Sequence, residues 1–374
     1  MHRTVVDPAR PRFLLLDLLR VIGAIGVVLY HYTARRHSQW GAPPSETFPF
    51  LSDVTAYGFL GIQLFFLLSG FVIFFSTEGR TVGQFVSARV SRLYPAYWAA
   101  VILASLLLVV IAPPQLGREL SLAQILTNLT MLQPVFGVPH VDGVYWTLMI
   151  ELLFYTMIAL LISVRLTEAK VTWFVVGWPL LGALAQTTGN ELLVFLLSPA
   201  YSSLFAAGMV IYLLHSRGHS LLRWLLLAFN FIVSIQQFVS TATPARQYRL
   251  TGNDYSEVIG ALVLTGIFIA VVLIVLTPAK HWGWAWLSTA GALTYPLYLV
   301  HEYWGWWIIG ISHEALGKWG ALAAAFAVSV GLALILERWV ERPLRPWMRA
   351  GLQRSFDLVS AGSRGERAAT VPNR

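Results

Sequence analysis

Apolar stretches of about 17–25 residues, the length a helix needs to cross a hydrocarbon layer, recur along the chain. Ten can be drawn, over 14–34, 57–77, 94–112, 144–164, 171–187, 192–214, 221–241, 256–276, 286–309 and 319–340. The fifth is short and the stretch 171–214 can be divided differently, so nine or eleven spans fit the same pattern. The longest intervening segments, 35–56 and 113–143, are rich in Pro, Gly and Ser. The second of them carries an apolar patch from Leu120 to Leu132 that suits a surface or re-entrant position. This pattern predicts an all-α polytopic membrane bundle of about ten transmembrane helices.

Composition agrees and narrows the chemistry. The chain is 57% hydrophobic and 12% charged, whereas soluble domains average roughly 45–50% and 25%; a large soluble catalytic domain has no room. The absence of cysteine excludes disulfides, thiolate metal sites and a cysteine nucleophile. No His-x-x-x-His spacing on one helix suggests a metal, so none is expected.

A formal charge of +8 can indicate nucleic acid, but its distribution along this chain reads as topology. With ten spans, 20 of the 26 lysines and arginines fall on the side of the termini and 6 on the other. Both termini are therefore expected in the cytoplasm. The first apolar stretch carries Asp17 and Arg20 and lacks a small-residue cleavage site, which argues against a cleaved signal peptide. A domain organisation follows: an arm over 1–12, a membrane domain over 13–346, and a cytoplasmic tail over 347–374 whose Ser, Gly and alternating charges predict disorder. Arginine makes up 23 of the 26 basic residues, a bias typical of GC-rich genomes that points to the inner membrane of a bacterium.

Ionisable residues inside a span need a partner or a function. In the first span Asp17 and Arg20 are followed eleven residues later by His31, about three turns and 16 Å along the same helical face. These residues also fit local i, i+3 pairing and interfacial placement. Arg89 and Arg92 form an i, i+3 guanidinium pair suited to phosphate, or to ordinary positive-inside anchoring. The stretch Gly58 to Phe71 places Gly and Ser, including Ser69, where helices approach closely. Glu151 lies about two turns inside the fourth span with no neighbouring cation in sequence. In the ninth span Pro296 predicts a kink, and His301 and Glu302 point about 100° apart, so they need separate partners.

Taken in order, Asp17/Arg20/His31, Gly58 to Phe71, Arg89-x-x-Arg92-x-Tyr94-Pro95, Trp146-Thr147-Leu148-x-x-Glu151-x-x-Phe154-Tyr155, Tyr295-x-x-Tyr298-Leu299-x-His301 and Glu341-Arg342-Pro343 resemble acyltransferase family 3, a family of integral membrane acyltransferases. Thr147 and Thr294 stand where that family more often has serine. The resemblance implies ten or so membrane helices and transfer of an acyl group from cytoplasmic acyl-CoA to a hydroxyl. The acceptor would be a cell-envelope glycan or glycolipid, or alternatively a macrolide or other small secreted metabolite.

Acetyl is the first expectation for the donor, with succinyl or a longer group as alternatives. Acyl-CoA would be a co-substrate, and no permanently bound cofactor is implied. Arg89 and Arg92, with Arg20, are expected to hold the CoA phosphates. His31 is expected as base or acyl carrier, with Glu151 orienting or charge-stabilising the site. Asp17, Ser69, Tyr145, Trp146, Tyr295, Tyr298 and His301 are expected as supporting residues. A proton-coupled transporter, with Arg20, His31, Glu151 and His301 forming a relay, is the alternative from another class.

Overall fold

The computed structural model describes residues 13–112, 116 and 118–369, with side chains through residue 359. The arm expected over 1–12 lies outside the described residues, which form helices joined by turns and irregular segments, with no strand among them. Among the described residues, eight segments are long and apolar enough to cross a membrane. The helices that build the bundle are α1 (Leu14–Thr33), α2 (Gly61–Phe75), α3 (Val82–Leu106), α4 (Trp146–Ser163), α5 (Glu168–Thr188), α6 (Pro199–Arg217), α7 (Leu221–Thr241), α8 (Glu257–Leu276), α9 (Ala285–Ile335) and α10 (Arg342–Ala369).

Each of the ten apolar stretches is helical, with three differences in kind, the first being that 192–214 is divided at Ser198 (φ 43°) between a short helix, Glu191–Leu197, and α6. The fifth stretch becomes α5, which is helical but too polar to count among the eight. The ninth and tenth share α9 and are separated at Gly317, whose φ of 66° and ψ of 172° interrupt the helix. Only glycine adopts that conformation without strain. The tail expected over 347–374 is described as helical, in α10, through Ala369. Its periodicity provides the physical reason, because the ring of Phe356 packs where a Cβ on Gly83 would stand and ties the helix to α3.

Small residues set the closest helix contacts, since lipid offers no hydrophobic drive and backbone proximity must supply the packing. A Cβ added to Gly61 would collide with the Gly23 carbonyl of α1, and one on Gly70 with the Phe205 carbonyl of α6. Gly208 of α6 faces the backbone at Leu67 and Phe71 in the same way. A Gly208→Val variant is therefore expected to lose about 1–3 kcal/mol of stability through overpacking. Unfolding in mixed micelles would check this, and an unchanged midpoint would remove the tight α2–α6 contact from the account.

The apolar patch of the 113–143 segment becomes a short helix, Leu122–Asn128, opened by a Ser121/Gln124 capping box. Asn128 is fully buried and holds the segment by donating to the Pro139 carbonyl (3.0 Å) and accepting from the Val141 amide (3.0 Å). The Tyr97 hydroxyl donates to the Asn128 carbonyl at 2.6 Å. This clamp delivers Asp142 and Gly143 to the start of α4, against Glu302 of α9.

Candidate functional site

Among the described residues, α1 contributes to two cavities between the helices. The larger, about 580 Å³, is lined by Asp17 and Arg20 of α1, Ser69 of α2, Arg89 and Arg92 of α3, Glu151 and Tyr155 of α4, and Tyr295 of α9, with Arg342, Arg345 and Arg349 of α10. Counting Arg80 and Glu337 as well, seven arginines face three carboxylates, so the cavity carries a marked positive excess. The smaller, about 210 Å³, is lined by His31 of α1, Arg35, Gln63, Trp146, Tyr201, Arg246, Gln247, Tyr298 and Glu302.

In the arginine cavity several expected residues meet. Arg20 donates to Asp17 at 3.0 Å, the local pair read from the sequence. Arg89 donates through Nη2 to the Ser76 hydroxyl at 2.5 Å, while its buried Nε has no hydrogen-bond partner. Such a donor, left unsatisfied away from water, costs free energy unless a ligand accepts from it. Arg92 is engaged differently: it pairs with Glu341, which sits in a π-helical turn ahead of α10, and lies over the Tyr295 ring at 5.7 Å. Arg345 also approaches Glu341, at 3.8 Å.

Glu151 accepts from the Tyr155 hydroxyl at 2.6 Å and lines this cavity rather than the one holding His31. Glu151, expected to orient or charge-stabilise the site, stands with the arginines and not beside His31. Two turns inside α4, its carboxylate lies at the level of Arg20 and Arg89, not at the level of His31.

The smaller cavity is organised around His31. Its Nδ1 lies 2.8 Å from the Val27 carbonyl and 3.2 Å from Nε2 of His301. His301 Nδ1 in turn lies 2.9 Å from the Tyr298 carbonyl. Carbonyls only accept, so both rings carry their proton on Nδ1 when neutral, and the single Nδ1–H of His31 is shared between the Val27 carbonyl and, at longer range, the His301 Nε2 lone pair. That assignment leaves the Nε2 lone pair of His31 free. The nearest carboxylate to it is Glu302 Oε1 at 3.9 Å, itself 3.7 Å from Arg35 Nε. His301 and Glu302, which the helical angle requires to have separate partners, converge on opposite nitrogens of one imidazole.

The surroundings hold this dyad in place. Trp306 Nε1 donates to the His31 carbonyl at 2.9 Å, and the Tyr32 hydroxyl donates to the His301 carbonyl at 2.7 Å. Outside the spans, Asp142 is buried and adjoins Glu302, and burial followed by that neighbouring charge pushes its carboxyl well up. His37, stacked on Trp306 with ring centroids 5.1 Å apart, is pushed down to about 4 by burial and remains neutral.

Among the supporting residues, Trp146 and Tyr298 line the smaller cavity, Ser69, Tyr295 and Asp17 line the larger, and Tyr145 lines neither. The buried Tyr145 hydroxyl donates to the Leu299 carbonyl at 3.2 Å and ties the start of α4 to α9. Asp142, Arg35, Gln63, Gln247, Arg345 and Arg349 are additions from the structure, which also places Glu302 and Arg342, both named from the sequence, at the two cavities. Of these, only the 3–4 residue spacing of Arg342, Arg345 and Arg349 was a sequence signal for a shared helix face. Gln63 and Gln247 are 8% and 4% exposed, and each has a buried Oε1 without a partner.

Comparison with protein families finds that residues 13–338 match the family described as acyltransferase domain. Comparison with curated proteins and with solved structures finds no match. Because the match covers nearly the whole chain, the protein belongs to that family and is a multi-pass membrane acyltransferase.

Proposed function

From that membership, we propose that the protein moves an acyl group from acyl-CoA, held in the arginine cavity, to a hydroxyl of an acceptor in the His31 cavity. Acetyl is the first choice of donor group. The single observation that carries this reading is the stacking of the two cavities along α1, one with an excess of arginines and an unsatisfied Arg89 Nε, the other with an exposed imidazole lone pair. Phosphates suit the first, because guanidinium groups offer paired, charge-assisted donors. A sugar suits the second, since Gln63 and Gln247 offer acceptors to hydroxyl donors and Trp146 and Tyr201 offer ring faces.

In the proposed reaction His31 Nε2 removes the proton of the acceptor hydroxyl as its oxygen attacks the thioester carbonyl. The C–S bond breaks and CoA leaves as the thiol, taking up the proton that His31 holds. The alternative order has Nε2 attack first, forming an acyl-histidine that the hydroxyl then resolves. In both, Glu302 at 3.9 Å supports the positive charge on the ring. The arginine-rich end would face the cytoplasm of a bacterial inner membrane, with an envelope glycan or glycolipid as acceptor on the other side.

The test is release of free CoA from acetyl-CoA and succinyl-CoA by the protein in nanodiscs, with mass analysis of His31. Arg89→Ala is expected to raise the donor KM roughly tenfold or more, the loss that goes with a hydrogen bond to a charged group. An unchanged KM in that variant would remove the arginine cavity as the donor site.

A further inference from the structure

The two cavities have only two lining residues in common among the described residues, Ile62 and Tyr298. The elements that border the cavities pass from one to the other at this level. On α9, Tyr295 lines the arginine cavity, Tyr298 lines both and Glu302 lines the His31 cavity, an i, i+3, i+7 stripe along one face. On α2, Ser69 and Phe65 line the arginine cavity, Ile62 lines both and Gln63 lines only the other. At the start of α4, Thr147 belongs to the first cavity and Trp146 to the second.

We propose that Ile62 and Tyr298 form the constriction through which the acyl group must pass to reach His31, and that the bulk of Ile62 sets which acyl groups pass. The inference rests on the functional reading above. The two walls differ in how far they can yield. Tyr298 is fixed, because its hydroxyl donates to the Val144 carbonyl at 2.9 Å and lies 2.9 Å from the Thr147 hydroxyl, while its ring meets Phe65 edge-on. Ile62 has no polar anchor, and its backbone is held where Gly61 is pressed against Gly23 of α1. A change in aperture must therefore come from the Ile62 side chain itself.

The constriction differs from a donor-binding element. Trimming it should leave CoA affinity alone and change only the acyl groups delivered, whereas trimming an arginine should weaken every donor alike. One methylene of fit in an apolar passage is worth roughly 10–200-fold in discrimination.

The experiment measures CoA release by the protein in nanodiscs, and label transfer in inside-out vesicles, with acetyl-, propionyl- and butyryl-CoA. Ile62→Ala is expected to raise the butyryl-to-acetyl ratio about tenfold or more, with Ile62→Val intermediate. Ile62→Phe should suppress transfer from all three donors while CoA still raises the Tm, which shows that the variant folds and binds. A ratio unchanged in Ile62→Val and Ile62→Ala, in variants that CoA still stabilises, overturns the constriction and leaves the donor reading intact. If the wild-type protein releases CoA from none of the donors, the donor reading fails first and the constriction falls with it.

Discussion

Replacing His31 by alanine is expected to lower acyl transfer by about 10²–10⁴-fold, the contribution of a positioned general base, while the protein still folds. The expectation follows from which atom is free. Val27 and His301 engage Nδ1, so Nε2 is the only ring atom left to face an acceptor. The bond from the Trp306 indole to the His31 main-chain carbonyl does not depend on the histidine side chain and should persist in the variant.

A His31→Gln variant sharpens the test. Its amide can donate to the Val27 carbonyl as the imidazole does, so packing is largely kept, but an amide is not a base. Both variants should therefore bind CoA, read as a rise in Tm, and show the same large loss of acyl transfer. Normal turnover by either well-folded variant would remove His31 from the chemistry. If the acyl-histidine route operates, the mass shift on residue 31 disappears in both.

How much of this was legible in the sequence follows from the range of the forces involved. The helices were, because the bilayer demands long apolar stretches with internally satisfied backbones, and each stretch is written locally. The Asp17–Arg20 pair and the Arg89 position were legible for the same reason, since i, i+3 geometry is fixed within one helix. The carboxylate beside His31 was not. Glu302 is nearly the whole chain away from His31, and nothing local distinguishes it from Glu151, the other carboxylate inside a span without a neighbouring cation.

Gly317 shows the converse. A glycine inside an apolar stretch can be a packing contact or a break, and only the observed φ of 66° decides for the break. Composition reports only average polarity in the tail, whereas the contact of Phe356 with Gly83 is a particular one that average polarity does not register.

Arg92 is where the sequence and the structure assign different work to one residue, and a double-mutant cycle separates them. Its partner Glu341 has a side chain only 5% exposed, against 27% for Arg92. Removing the arginine alone strands a buried carboxylate, a loss that typically costs about 3–5 kcal/mol; Arg345 at 3.8 Å offsets part of it. Arg92→Ala and Glu341→Ala should therefore each destabilise the protein strongly, and the double variant by much less than their sum, with a coupling of about 1–3 kcal/mol.

Unfolding in mixed micelles reads the stability side of the cycle, and strictly additive losses would mean that the pair contributes nothing. Donor kinetics read the other side. With Glu341 gone as well, the double variant no longer strands a buried carboxylate but still lacks a guanidinium in the cavity. Because Arg92 is already committed to Glu341 while Arg89 Nε is unsatisfied, its donor KM should rise by no more than about fivefold, the value of an ordinary hydrogen bond, against tenfold or more in Arg89→Ala. A double variant whose KM rises as far as that of Arg89→Ala would place Arg92 on the donor phosphates after all, with Glu341 as the group that aims it.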